Sequence, residues 1–258
     1  ARARRLDAIG RAPVAAPRPA PRPPAALRPT QLSVTQIETL FRSPYDIYAR
    51  TVLRLSRREP LGQQPGPRER GNFIHDVFAA FVAAGHPFDD TAHGKLMEMA
   101  ESAFARLEGL DDRRDIWLRR FTVAASRFVE FERAREPEIA ARNAEVSEIW
   151  QFPVGFTLTG RADRVDRRVD GTLEILDFKT GSVPQKKEME AFLKPQLLLE
   201  AAMAQAVGMG PVAPATVSAL TYVKIRQGPD GLRPRPFTPA DGNLAGAIEA
   251  AAHRLQAY

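Results

Sequence analysis

The feature that most constrains the fold is a pair of alternating segments joined by a tight-turn signal. Residues 156–166 and 173–179 alternate with the two-residue period of β-strands. Asp170-Gly171 lies between them, and an Asp-Gly pair flanked by alternating segments is a strong signal for a β-hairpin. The middle of the chain is therefore predicted to form two antiparallel strands that lie side by side.

Two aspartates and a lysine on this hairpin form the candidate chemical site. Because side chains alternate along a strand, Asp177 and Lys179 share one face of the second strand, and Asp163 lies on the first. Neighbouring strands lie ~4.8 Å apart, so Asp163 and Asp177 converge if the register places them side by side. The plainer alternative is that these side chains belong to a solvated ladder of opposite charges.

A pair of converging carboxylates is typical of a metal site. Their negative charges repel each other, burial raises the pKa of at least one of them, and a divalent cation removes this penalty. Oxygen ligands in a chain without cysteine favour Mg²⁺ or Mn²⁺ over zinc. Such an ion lowers the pKa of a bound water, and Lys179 can position or help deprotonate that water, or stabilise phosphoryl oxygens. The pattern predicts hydrolysis of a phosphodiester.

Four further polar residues each have two interpretations. His75 lies at the edge of the apolar stripe of a predicted helix, where it is either a half-buried structural histidine or a metal ligand or phosphate contact. Gln196 and Glu200 are one turn apart on the helix that follows the hairpin. In one interpretation, both residues form the polar edge of an amphipathic helix. In the other, Gln196 contacts the nucleic-acid strand or the water shell of the metal. Glu148 is either a third carboxylate or a surface charge on an edge strand.

The rest of the sequence predicts a helical layer before the hairpin and a helix and a strand after it. Helices are predicted at 35–41, 44–52, 69–84, 92–108, 112–135, 195–207 and from about 239 to the end, and further strands at 145–152 and 217–223. A capping box is predicted at Thr35–Glu38, a loop at 60–68 and a Gly/Pro-rich turn at 228–236. The chain has no G-x-x-x-x-G-K-[ST] loop, so its sequence does not encode nucleotide-driven motor chemistry.

The positive charge of the chain is concentrated at its start. The net charge is +6, and residues 1–30 carry seven arginines and one acid, so residues 31–258 sum to about zero. The sequence pI near 10.0 is therefore weak support for DNA binding by the folded part. Residues 12–29 are mostly Pro, Ala and Arg, which predicts a semi-rigid linker over residues 1–30, with a DNA-touching basic arm as the alternative. One folded domain is predicted over 31–258.

The composition excludes several classes of site. Without cysteine there are no disulfides, zinc–thiolate sites or iron–sulfur clusters, which agrees with a reducing cytoplasm. No apolar run approaches the ~18–20 residues of a membrane span, and no secretory signal is visible. We therefore expect a cytoplasmic protein with no membrane association.

Four segments in order resemble the successive motifs of RecB-type nucleases of the PD-(D/E)XK superfamily. They are Gly-Asn-Phe-Ile-His at 71–75, Gly-Arg-Ala-Asp-Arg-Val-Asp at 160–166, Leu-Asp-Phe-Lys-Thr-Gly at 176–181 and Pro-Gln-Leu at 195–197. Residues 32–38 and 43–50 resemble the beginning of the C-terminal nuclease domain of AddB, a subunit of the AddAB helicase-nucleases that process double-strand breaks. The likeness runs from about residue 32 to 224.

This resemblance implies a fold, an activity and partners. The implied fold is α/β: a restriction-endonuclease-like α-β-β-β-α-β core with a central mixed sheet and an added N-terminal helical layer. The implied activity is Mg²⁺-dependent deoxyribonuclease cleavage of single-stranded DNA emerging from a helicase during repair and recombination, with an AddA-type helicase-nuclease subunit as partner. Catalytic roles fall on Asp163, Asp177, Lys179, His75 and Gln196, with Asp163, Asp177 and His75 as metal ligands.

The chain departs from this family pattern in two places. Many relatives have a tyrosine one turn after the glutamine, where this chain has Glu200, and many hold an iron–sulfur cluster with four cysteines, of which this chain has none. The alternative function is a catalytically inactive nuclease fold that guides DNA or scaffolds a helicase partner. Retention of both aspartates and the lysine argues against that alternative.

Overall fold

The computed structural model describes residues 15–16, 20–56, 58, 66–105, 114–225 and 231–257. Several sequence predictions fall partly outside these residues: 1–14 and 17–19 of the linker, 60–65 of the loop, 106–108 and 112–113 of two helices, 228–230 of the late turn, and residue 258.

The described residues form six strands and eight helices with short 3-10 turns at Ala25–Leu27 and Glu136–Glu138. The strands are β1 (Gln31–Ser33), β2 (Ile139–Gln151), β3 (Thr157–Arg168), β4 (Leu173–Lys179), β5 (Val217–Ile225) and β6 (Leu232–Pro236). The helices are α1 (Val34–Arg42), α2 (Pro44–Ile47, continued by a π turn over Tyr48–Val52), α3 (Pro67–Ala83), α4 (Ala92–Phe104), α5 (Arg114–Arg135), α6 (Lys186–Glu190), α7 (Gln196–Ala206) and α8 (Leu244–Gln256).

All six strands belong to one mixed sheet centred on β3. Strand β2 pairs antiparallel with one edge of β3, while β1 pairs parallel and β4 antiparallel with the other edge. The sheet then continues through β5, parallel to β4, to the antiparallel edge strand β6. This mixed sheet with its helices confirms the predicted α/β class, and helices α3 to α5 supply the predicted N-terminal layer.

The β3–β4 hairpin forms as the sequence predicts. Gly171 has φ +84°, a left-handed conformation that glycine adopts without steric cost, and the Thr172 amide donates to Asp170 Oδ1 at 2.9 Å. The ladder runs from Arg167 opposite Leu173 to Arg164 opposite Leu176. One further step in this register brings Asp163 opposite Asp177, so the two aspartates lie on the same face of the sheet.

Two hydrophobic cores cover the two faces of the sheet. Ile175 packs in the core shared with α1, α7 and α8, whereas Leu176 and Phe178 pack in the core formed by α3, α4 and α5. This alternation follows from the two-residue period of β4. In the second core the rings of Phe78 and Phe128 stack with centroids 4.0 Å apart. Each fully buried side chain of this kind contributes about 1.5–3 kcal/mol relative to exposure.

The structure overturns three of the local predictions. The capping box lies at Ser33 and Gln36 rather than at Thr35–Glu38, because β1 ends at Ser33 and the helix begins directly after it. Strand β2 begins at Ile139 rather than at 145, because pairing with β3 extends it. The predicted late turn contains β6, whose prolines are tolerated because it is an edge strand.

A buried ionic network joins α5 to the hairpin. Arg164, 1% exposed, donates to Asp166 Oδ1 at 2.6 Å and to Glu132 Oε1 at 2.7 Å. Arg135 donates to Asp166 Oδ2 at 2.7 Å and to Glu174 Oε2 at 3.0 Å. Arg164 and Asp166 are therefore buried partners of α5, and a solvated surface ladder is the wrong description of these two residues.

Within the described ranges, no helix combines the length and the apolar character that a membrane span requires.

Candidate active site

The site lies where β3 and β4 separate. On the edge of β3 that faces β4, residues 157–159 pair with β1 and residues 164–167 pair with β4. Between these two ladders, Asp163 Oδ2 accepts a hydrogen bond from the Phe178 amide at 2.8 Å. The side chain thus takes the place of a backbone partner, and it holds the two strands together at the point where their ladder ends.

Asp177 is held by two side chains on its own side of this fork. Lys179 Nζ lies 2.7 Å from both carboxylate oxygens of Asp177, and it forms a hydrogen bond with Oδ1. Gln196, the first residue of α7, donates from Nε2 to the same Oδ1 at 2.7 Å and accepts from Lys179 Nζ at 3.3 Å. The amide of Gln196 therefore fixes the acid and the amine relative to each other.

His75 and Glu145 meet Asp163 on the other side of the fork. His75 Nδ1 lies 3.3 Å from Asp163 Oδ2, and one ligand atom from each of His75, Glu145 and Asp163 lies within 4.8 Å of the others. Glu145 also accepts from Arg161 Nε at 2.6 Å. These three side chains form the group of potential metal ligands found among the described residues.

A glycine allows α3 to carry His75 to the sheet. A methyl group at position 71 would lie 2.7 Å from Thr180 Oγ1, so the absence of a side chain lets α3 approach the end of β4. His75 is one turn further along α3, which places its ring over the fork, 6.3 Å from the ring of Phe178.

The donor set fits a hard divalent cation. Carboxylate oxygens with one imidazole nitrogen are ligands that Mg²⁺ and Mn²⁺ accept. The second oxygen of Asp177, Oδ2, is buried and accepts no hydrogen bond in the structure. The Lys179 ammonium group lies 2.7 Å from this oxygen, so a metal ion bound here would share the Asp177 carboxylate with Lys179.

The two aspartates have opposite pKa shifts. Burial raises the pKa of Asp177 to about 6, against the opposing charge of Lys179 and with a further contribution from the charge of Asp163. Burial also acts to raise the pKa of Asp163. The net pKa of Asp163 is nevertheless lowered, because His75 donates a hydrogen bond and contributes positive charge, and the Phe178 amide donates a second hydrogen bond. Divergent pKa values in one cleft are typical of functional sites.

The neighbouring carboxylates favour the charged forms of the two basic groups. Burial disfavours the imidazolium of His75, but its hydrogen bond to Asp163 and the charges of Asp163 and Asp177 raise its pKa. Burial likewise disfavours the ammonium of Lys179, but the charge and hydrogen bond of Asp177 raise its pKa. At neutral pH Lys179 is therefore a cation.

Two buried polar groups lie beneath Asp177. Glu200 is 1% exposed; its Oε1 accepts from Gln196 Nε2 at 3.1 Å, and its Oε2 has no hydrogen-bond partner. Burial raises the pKa of Glu200 well above its usual value, and the charge of Asp177 adds to this. The hydroxyl of Tyr222, also buried, has no partner either. Glu200 is thus a buried acid that supports the site by its hydrogen bond with Gln196.

The structure brings all five predicted site residues together and adds one that the sequence does not indicate. Asp177, Lys179 and Gln196 form one hydrogen-bonded group, and His75 contacts Asp163, which bonds to the Phe178 amide between Asp177 and Lys179. The predicted ligand Asp177 lies outside the group of potential metal ligands formed by His75, Glu145 and Asp163. Glu148 is not part of the group, because its carboxylate accepts from the Ile149 and Gly210 amides. The third carboxylate is instead Glu145, and only the pairing of β2 with β3, which places it opposite Asp163, identifies it.

Comparison with known protein families agrees with this geometry. The model of the PD-(D/E)XK nuclease superfamily matches residues 31–257, nearly the whole described fold. The chain belongs to the PD-(D/E)XK nuclease superfamily. Members of this superfamily are generally nucleases that use Mg²⁺, and the clustered acids and histidine form a possible site for such an ion.

The curated relatives are uncharacterised proteins from Rickettsia. The chain is 29% identical over 182 residues to a protein of Rickettsia bellii, covering 68% of the chain and 22% of that protein. A protein of Rickettsia typhi is 29% identical over 185 residues, with 68% of the chain and 21% of that protein covered. The chain therefore spans about a fifth of the length of the curated relatives it matches.

Proposed function

We propose that this chain is a Mg²⁺- or Mn²⁺-dependent deoxyribonuclease that hydrolyses phosphodiesters of single-stranded DNA. The observation that carries the proposal is the convergence of Asp163, Asp177 and Lys179 at the β3–β4 fork, with His75 and Glu145 beside them. A carboxylate pair, an imidazole and a fixed ammonium group supply the ligands and the positive charge that phosphodiester hydrolysis requires.

The metal ligands in this proposal are Asp163, His75 and Glu145, and Asp177 Oδ2, which also lies 2.7 Å from the Lys179 ammonium group, is proposed as a further ligand. A bound Mg²⁺ would lower the pKa of a water and neutralise charge that develops on the scissile phosphate. Most of these ligands are carboxylate oxygens, which supports a hard cation such as Mg²⁺ or Mn²⁺.

Lys179 acts as an electrostatic group in this proposal. Its raised pKa keeps the amine protonated at neutral pH, so it stabilises negative charge on the phosphoryl oxygens and does not remove a proton from water. Gln196 is a positioning residue, because its amide bridges Asp177 and Lys179. This arrangement keeps the ammonium group beside the metal ligands without rearrangement during the reaction.

We further propose that the chain is an AddB-like nuclease domain of an AddAB-type helicase-nuclease in double-strand break repair and recombination. The resemblance of residues 32–38 and 43–50 to AddB supports this assignment. The curated relatives are several times longer than the chain, which leaves room for further domains on such proteins. An AddA-type subunit that unwinds DNA would then deliver single strands to the fork.

The test is metal-dependent cleavage of an end-labelled single-stranded DNA oligonucleotide. We expect cleavage with Mg²⁺ or Mn²⁺, none in EDTA, and a loss of at least about 100-fold in Asp177→Asn, which keeps the shape of the side chain but removes its charge. The matched control is Asp76→Asn, which removes an exposed carboxylate next to His75 on α3.

Two results would contradict the proposal. If the wild-type chain binds metal but cuts no DNA, the fold serves as an inactive guide or scaffold. If Asp76→Asn loses as much activity as Asp177→Asn, the loss reflects net charge and not the fork.

A further inference from the structure

The row of side chains that begins at the fork continues across the sheet. In the register of the sheet, Asp177 is paired with Tyr222 and Tyr222 with Arg235, while Lys179 is paired with Lys224 and Lys224 with Arg233. Residues paired in this way project from the same face. The face that carries the candidate active site therefore becomes basic toward the edge strand β6, two strand spacings or ~10 Å from β4.

These basic side chains line a groove beside the active site. The groove has a volume of about 700 Å³ and is lined on one side by Lys224, Arg233 and Arg235 and on the other by Lys186 and the segment 182–184. No acidic residue is among the described residues that line it, although Lys186 lies 3.9 Å from Glu190 on its own helix.

Tyr222 connects the groove to the fork. Its ring lies 5.8 Å from Lys179 Nζ, and the same side chain lines the groove. Lys224 lies on the other side of this connection, with Nζ 3.5 Å from the carbonyl oxygen of Thr180, which follows Lys179 directly. The groove and the fork are therefore adjacent on one face of the sheet.

The concentration of charge is local. Residues 31–258 have a net charge of about zero, yet four cations line this one groove. Positive side chains gathered along one groove are the usual electrostatic footprint of a nucleic-acid backbone, which carries one negative charge per phosphate.

We propose that the groove between β6 and residues 182–186 binds the phosphates of the substrate strand on one side of the scissile bond. This inference rests on the proposed function, and it deepens it by assigning the path of the single strand. Arg233 and Arg235, which project from β6 into the groove, provide its phosphate contacts furthest from the fork.

The experiment measures binding of a fluorescein-labelled oligothymidylate by anisotropy in EDTA, over a series of salt concentrations. Each phosphate contact on a single strand adds about 0.7 to the slope of log K against log salt. The variant Arg233→Gln/Arg235→Gln is therefore expected to lower the slope by about 1.4 and to weaken binding by about tenfold at low salt. Arg235→Gln alone, a change on the edge strand, is expected to lower the slope by about 0.7.

The matched control is Arg42→Gln/Arg50→Gln, which removes two exposed cations from the N-terminal helices. This variant has the same net charge as the groove variant and should keep the wild-type slope. If both double variants bind the oligothymidylate equally weakly, the proposal of a phosphate-binding groove is wrong, because only the total charge then matters. The proposal is also wrong if the groove variants keep the wild-type slope of log K against log salt. It is equally wrong if the wild-type chain shows no salt-dependent binding.

The binding assay is independent of the cleavage assay. Cleavage by the wild-type chain together with an unchanged slope in the groove variants refutes the groove and leaves the nuclease function in place. Loss of the slope in the groove variants without cleavage by the wild-type chain refutes the nuclease function and leaves a DNA-guiding groove. Where both proposals hold, the groove variants raise KM in Mg²⁺ far more than they change kcat.

Discussion

At the scale of single residues, the backbone at Glu145 decides which carboxylate completes the site. Its φ of +53° lies in the left-handed region, which costs a residue with a side chain about 1–3 kcal/mol. The residue lies inside β2, between Ala144 and Val146, which pair normally with β3. Strain of this kind is retained where the surrounding structure enforces it, and here it accompanies a carboxylate that faces His75 and Asp163.

Replacing Glu145 with Gln should weaken metal binding. The change removes a charged ligand and keeps the size of the side chain, so we expect at least about a tenfold loss of Mn²⁺ affinity by calorimetry. Glu148→Gln is the control, because Glu148 lies on the same strand and bonds only to backbone amides. Equal affinities for Glu145→Gln and wild type would remove Glu145 from the ligand set.

Glu200 gives the metal-free protein a definite pH dependence. Its folded-state pKa is raised, so the folded state binds more protons than the unfolded state between the two pKa values. The stabilising contribution of protonated Glu200 is complete below about pH 4.5, its unfolded value, and is lost as the pH rises through the folded value. Stability in EDTA should therefore fall with rising pH.

Comparison with Glu200→Gln isolates this effect from that of Asp177, whose raised pKa acts in the same direction. Glutamine can keep the hydrogen bond to Gln196 and stays neutral at every pH. We expect the variant to gain stability over wild type as the pH rises from about 5 to about 9, measured by urea unfolding. A difference that stays constant across this range would exclude a titrating Glu200.

At the scale of elements, the ionic network fixes α5 against the strand that carries Asp163. Glu132 of α5 and Asp166 of β3 are both fully buried, and Arg164 bonds to each of them. Charges in this position are tolerated only because each has partners. The network therefore sets the position of β3 relative to the helical layer that also supplies His75.

Replacing Arg164 with Met should be among the most destabilising changes in the chain. It leaves Glu132 and Asp166 with fewer partners inside the core, and breaking a buried ion pair in this way costs about 3–5 kcal/mol. Arg127→Met, which removes an exposed pair with Glu130, should cost no more than about 1 kcal/mol. Urea unfolding of the two variants measures both losses of unfolding free energy. Similar losses in the two variants would show that the buried network adds little to stability.

At the scale of the whole molecule, the balance of charge limits how tightly the domain holds DNA by itself. Residues 31–258 sum to about zero charge, so long-range attraction to DNA is weak, and the proposed groove supplies the local attraction to phosphates. In the proposed function, a helicase partner delivers the strand, so the domain does not need to hold DNA tightly.

The isolated domain should therefore bind short single strands weakly. Near 0.15 M salt, where phosphate contacts are strongly weakened, we expect little anisotropy change at micromolar protein, with binding recovered at lower salt. Addition of the arginine-rich residues 1–30 to a domain that starts at residue 31 tests whether the basic arm contributes. Tight binding by the shorter form at ~0.15 M salt would contradict this prediction.

The sequence by itself determined the hairpin, its two aspartates and the lysine beyond them. Alternation and an Asp-Gly turn are local signals, and in an antiparallel hairpin the turn sets the register. For this reason the sequence places Asp163 and Asp177 on neighbouring strands, where they converge if the register aligns them. The segment around His75 and the helix that begins at Gln196 followed from local periodicity combined with the family resemblance.

Only the tertiary structure decided the rest of the site. The pairing of β2 with β3 placed Glu145 instead of Glu148 at the fork, and the addition of β6 to the sheet edge assembled the basic groove. The burial of Arg164 followed from the packing of α5 on the hairpin. Each of these depends on contacts between distant parts of the chain, and the two-residue period of a strand carries no information about which strand or helix lies beside it.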